Sequence, residues 1–85
     1  MDVAALRMLA QIYLEDRVLP ERTDEILSTL SNHIREPVWE DAYLAVLNAR
    51  NSGAPFAEET AKKLLAQLKE NDHRRQWVID AFSLA

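Results

Sequence analysis

Apolar side chains recur every three or four positions along most of the chain, the period of one helix face, and breaks in that pattern divide it into five segments. In the first, from Val3 to about Asp16, Leu6, Leu9, Ala10 and Tyr13 form one stripe, and Met8, Ile12 and Leu14 widen it well beyond a narrow seam. A helix apolar over so much of its circumference needs cover on more than one side, so either a central position or a partner over one face is expected. Asp2 suits its N-cap. Its other end is poorly signalled, because Glu15 and Asp16 oppose the helix dipole and no glycine follows.

The second segment starts at Pro20, or one turn later with Thr23 as cap, and carries Ile26, Leu27, Leu30 and Ile34 on one stripe, with Ser28, Ser31 and Asn32 on the wet side. Pro37 ends it, since a proline pushes the residue before it, Glu36, out of helical geometry. The third predicted helix runs from Pro37 to Arg50. Trp39, Tyr43, Val46 and Leu47 form one face, and the smaller Val38, Ala42, Ala45 and Ala49 an adjoining one that admits a close neighbour. Trp39 is expected in the core. Gly53 supplies the left-handed conformation that closes this helix.

Pro55 opens a fourth helix with Ala57, Ala61, Leu64, Leu65 and Leu68 inward, and with Glu58–Lys62 and Glu59–Lys63 spaced as ion pairs on the outside. Asn71-Asp72 reads as a stop and a new cap, and a fifth helix from His73 to about Phe82 presents Trp77, Val78, Ala81 and Phe82. Short connections bring consecutive helices side by side. The expected fold is therefore all-α, a compact bundle or antiparallel array of about five short helices in a single domain spanning residues 1–85.

Composition narrows the chemistry. One glycine and three prolines among 85 residues favour helix, and the absence of cysteine removes disulfides, thiolate metal sites and thiol nucleophiles. No apolar run approaches membrane-spanning length, so a soluble cytoplasmic protein without a membrane partner is expected. The net charge of −4 is uneven. Residues 1–60 hold 11 acids against 5 bases, and residues 61–85 hold 3 against 5.

Catalytic signatures are absent. The serines and threonines sit in no nucleophile elbow, and a single glycine cannot build a phosphate-cradling loop. Glu70 and His73 match Glu-x-x-His, but a di-metal bundle needs a second copy, and Asn71-Asp72 breaks the helix between them. His33 reads as a histidine favoured by a helix C-terminus. Eight of the fourteen acids, among them Glu36, Glu40 and Asp41, cluster at predicted helix starts, where the dipole accounts for them. Neither enzyme activity, nor a cofactor, nor a metal is expected.

Two functions remain. The first is binding of another protein, as an adaptor, assembly chaperone or small acidic inhibitor. Met8, Ile12 and Leu14 would be the apolar anchors, and Glu36, Glu40 and Asp41 an acidic rim steering a basic partner. Apolar surplus around Val18-Leu19 and Phe82-Leu84 also fits a partner surface, a second copy of the chain included. The alternative is nucleic-acid binding by a helix-turn-helix pair in the basic last third. Lys62, Lys63, Lys69, His73, Arg74 and Arg75 would make the contacts, with Arg74 and Arg75 opening the recognition helix.

Overall fold

The computed structural model describes residues 2–84 and is built of helices α1 (Val3–Asp16), α2 (Pro20–His33), α3 (Trp39–Asn51), α4 (Ala57–Ala66) and α5 (Arg74–Phe82), with no strand among the described residues. Asp2 caps α1, its carboxylate accepting the Ala5 N–H at 3.2 Å. The unsignalled end of α1 closes on Arg17, which adopts left-handed φ 55° and donates its N–H to the Tyr13 carbonyl. Leu19 follows with φ 45°, so the turn into α2 holds two side-chain-bearing residues in a region that normally favours glycine. Of the two starts open for α2, Pro20 is the one used. Thr23 is buried, and its hydroxyl donates back to the Leu19 carbonyl at 3.2 Å instead of capping.

Three helices begin later than their sequence signals suggest. In α3, Val38 is extended and serves as the N-cap, so Pro37 lies outside the helix. Asp41 completes the cap by accepting the Val38 N–H at 2.9 Å. In α4, Pro55 and Phe56 form a turn, and helix begins only at Ala57. α5 starts one residue after His73, with the Asp72 carboxylate accepting the Arg74 N–H at 3.0 Å just ahead of it. Gly53 closes α3 with φ +76°, its N–H bonded to the Arg50 carbonyl.

α1 lies against both α2 and α3, α3 lies against α4, and α4 against α5. α1, α3 and α4 thus each have two helical neighbours. Ala10 and Leu14 of α1, Ile26 and Leu30 of α2, Tyr43, Leu44, Val46 and Leu47 of α3, Ala61 and Leu64 of α4 and Val78 of α5 make one buried cluster. Ala10, Tyr43, Leu47, Ala61 and Val78 are wholly inaccessible. Alanine at the α1 and α4 positions lets those helices come close to α3. Trp39 is only half-buried. It covers Tyr43, stacked at 5.4 Å between ring centroids, and donates its indole N–H to the Leu64 carbonyl at 3.2 Å, tying α3 to α4.

Tyr43 and Arg50 bind the central pair to α5. The Tyr43 hydroxyl donates to Glu15 Oε2 at 2.6 Å, with the Trp77 carbonyl at 3.3 Å as a weaker second acceptor. Burial, and then the bond to Glu15, push the phenol far above its ordinary range, so it stays a neutral donor. Two turns on, Arg50 donates to the carbonyls of Leu14 (2.8 Å) and Ala81 (2.9 Å), which lie in the last turns of α1 and α5. Those carbonyls have no partner within their own helices, and a cation is the favoured donor there. Asn51 adds a bond to Leu14 O at 2.9 Å.

Leu14 is 2% exposed and belongs to this core, whereas Met8 is 67% exposed. Leu14→Ala is expected to cost about 2–5 kcal/mol and Met8→Ala less than about 0.5 kcal/mol, read from urea unfolding midpoints. Equal costs would contradict the inward position of Leu14.

Candidate functional site

Of the three residues expected as anchors on the second face of α1, two are exposed and one is buried. Met8 and Ile12, one turn apart, are 67% and 48% exposed, and Ala4, Ala5 and Leu9 extend the apolar surface on the same side of the helix. Leu14 points to the core, since it follows Ala10 by four on the opposite side of α1. It is not an anchor.

Met8 and Ile12 edge an open depression of about 300 Å³ with Ala4, Arg7, Gln11, Glu40, Leu44 and Trp77. Its walls come from α1, α3 and α5. Glu40 thus stands beside the two anchors, but it is not a free charge: Arg74 Nη1 donates to it at 2.7 Å. Asp41 is more fully engaged. Arg7 donates to both its oxygens, at 2.7 and 3.0 Å, and the carboxylate also caps α3. The Asp41 carboxylate holds the Arg7 guanidinium above its usual range. Glu36, in the connection between α2 and α3, is exposed and lies outside the depression. The acidic rim expected from the sequence is therefore split. One member is at the depression, one is locked between α1 and α3, and one stands apart.

A second depression, of about 390 Å³, shares Trp77 with the first and is bordered by Glu15, Arg50, Asp80 and Ala81. Sequence reasoning placed Trp77 with the core and treated Glu15 only as a misplaced charge. The signal was present, since Glu15 follows Met8 by seven and Ile12 by three and so lies on the same side of α1. An apolar groove of about 460 Å³ also runs between α2 and α3, lined by Leu27, Leu30, Ile34, Leu44 and Ala45. It exists because both helices rest on α1 instead of on each other.

The basic residues of the last third are placed differently from a helix-turn-helix reader. Residues 67–73 separate α4 from α5, longer than the roughly three- to four-residue turn of such pairs. Arg74 donates to Asp72 Oδ2 and Glu40 Oε1, both at 2.7 Å, and its guanidinium lies 4.9 Å from the Trp39 ring centre. Arg75 donates to the carbonyls of Leu65 (3.1 Å), in the last turn of α4, and Leu68 (3.3 Å), just beyond it. Both arginines thus spend donors within the molecule, leaving Lys62, Lys63 and Lys69 as the exposed cations of that group. Lys62 reaches Glu59 at 3.4 Å, one residue closer along the helix than the Glu58 partner expected for it.

Glu70 and His73 both lie in the connection between α4 and α5, so no helix face unites them. His73 is exposed and meets the edge of Trp77 at 5.3 Å between ring centres. His33 Nδ1 lies 2.8 Å from the Thr29 carbonyl in the last turns of α2. Among the described residues no group of three or more potential ligands could hold a metal ion, and no helix is long and apolar enough to cross a membrane. No family model, no curated protein and no solved structure matches the chain.

The Arg74 side chain, bonded through its guanidinium to Asp72, holds that carboxyl well below the usual carboxylate range. A carboxyl whose folded pKa is depressed adds stability that is complete above its unfolded value of about 4 and is lost as pH falls toward the folded one. Asp72→Asn should therefore melt below wild type at pH 7. The gap should close progressively below about pH 4, as followed by thermal melts between pH 7 and pH 2. A gap independent of pH would assign Asp72 a role other than this ion pair.

Proposed function

We propose that this protein is a non-catalytic binding protein that docks another protein on the outer face of α1. One observation carries the reading. Met8 and Ile12 stand one turn apart and exposed, beside a depression that Leu44 and Trp77 make apolar, in a domain that has already buried a continuous core. Single exposed apolar residues are ordinary, but a contiguous patch of Ala4, Ala5, Met8, Leu9 and Ile12 on one helix is the usual character of an interface centre.

The engaged arginines support the same reading over nucleic-acid binding. Guanidinium groups already bonded to carboxylates and carbonyls would have to give up those bonds before contacting phosphate. An adaptor or a small inhibitor needs only a rigid, correctly shaped face, and the cross-links from Tyr43 and Arg50 supply the rigidity.

The double substitution Met8→Ser, Ile12→Ser tests the proposal. Affinity capture from a lysate of the parent cells, treated with nuclease, should recover a protein with wild type and lose it with the variant. The variant's melting temperature should be unchanged within about 3 °C. A captured protein that the variant retains would move the interface elsewhere. Capture that vanishes on nuclease treatment would favour nucleic acid.

A further inference from the structure

The apolar face of α1 runs into a charged subsite. We propose that its occupant is a basic amphipathic helix of another protein, with a lysine or arginine head group seated at Glu15 and Asp80 against the Trp77 ring. The inference rests on the reading of α1 as a docking face and names the chemistry that face recognises.

Met8, Ile12 and Glu15 stand at i, i+4 and i+7, one row along α1, spanning about 10 Å. Trp77 joins the two parts of the surface, since it lines both the apolar depression with Met8 and Ile12 and the polar one with Glu15 and Asp80. A helix laid along α1 therefore meets apolar surface over its first turns and carboxylates one turn further on. Its matching row carries two apolar residues a turn apart and then a cation.

Glu15 is built to accept that cation. Tyr43 and Gln11 both donate to its Oε2, at 2.6 and 3.4 Å, which fixes the carboxylate and leaves Oε1 without a partner among the described residues. No buried side-chain nitrogen or oxygen among the described residues lacks a partner, so this free oxygen is open to solvent. A side chain already held in place loses little freedom on binding. Asp80 is exposed one turn beyond Trp77 and takes one bond, from Gln76 Nε2 at 2.7 Å. Arg50 borders the same depression, but its donors go to Leu14, Ala81 and Asn51, which leaves two carboxylates facing one engaged cation. An indole ring beside them adds attraction for a cationic head group.

Charge also argues against a second copy as occupant. The outer face of α1 ends in Asp2 on one side and in Glu15 and Asp16 on the other. Antiparallel pairing sets Asp2 against Asp16, and parallel pairing sets Glu15 against Glu15. The next base, Arg17, borders a different groove with Pro20, Thr23 and Asn51.

Isothermal titration with three alanine-rich helical peptides tests the inference. Each carries Leu at i and i+4, with Lys, Arg or Glu at i+7. The Lys and Arg peptides should bind at least about tenfold tighter than the Glu peptide. Glu15→Gln and Asp80→Asn keep their internal hydrogen bonds and should each weaken the Lys peptide about fivefold. Salt at 0.5 M should weaken it too, while Glu58→Gln on α4 should leave binding unchanged. Equal affinity for the Lys and Glu peptides, or indifference to both carboxylate substitutions, with binding still lost in Ile12→Ser, would remove the cation subsite and leave the docking face standing. Binding that survives Ile12→Ser, or no binding of the Lys peptide at millimolar concentration, would overturn the inference. A dimer of the protein alone that Ile12→Ser dissociates would give the face to a second copy instead.

Discussion

A buried phenol governs the arrangement of this protein. Tyr43 has no accessible surface, and a hydroxyl taken out of water without an acceptor costs about 1–3 kcal/mol, a large share of a small domain's stability. The acceptor comes from Glu15 near the end of α1, and the Trp77 carbonyl of α5 stands beside it. Satisfying that one group therefore draws three helices together at a defined register. Arg50, seven residues along the same face of α3, repeats the device on the terminal carbonyls of α1 and α5. The row Trp39, Tyr43, Leu47 and Arg50 thus combines apolar contact with polar cross-links at Trp39, Tyr43 and Arg50.

The same arrangement leaves α1 covered on one side only. Its inner face packs on α2 and α3, and α5 reaches it only through Trp77 at the edge of the outer face. A chain of this length buries a little over ~60% of its unfolded surface, and five helices in this order cannot wrap a central one completely. Met8 and Ile12 stand outside for that reason. The carboxylate that holds Tyr43 lies at the end of their row, so one residue, Glu15, serves the core through one oxygen and faces solvent with the other.

The acids show where pattern reading reached its limit. Glu21, Glu58 and Glu59 stay in the first turns of their helices, where the dipole argument placed them. Asp41 and Asp72 do that work and more, because Arg7 and Arg74 reach them. Arg7 and Asp41 are 34 positions apart, as are Arg74 and Glu40. No local spacing rule connects such pairs. Both are partly buried, so they are screened less than surface pairs and act as ties between helices.

The sequence alone determined the all-helical class, the five helices and their approximate bounds, because helical period and capping residues are local properties written in consecutive positions. It also marked Met8 and Ile12 as surplus to one stripe. Tertiary structure decided that Leu14, on the same broad apolar surface, turns inward, since the direction of each side chain depends on where α2 and α3 settle. It decided that helix waits until Trp39, Ala57 and Arg74, where caps and turns in space override proline and aspartate signals. It also placed Trp77, Asp80 and Glu15 beside one another, because helices far apart in the chain meet there.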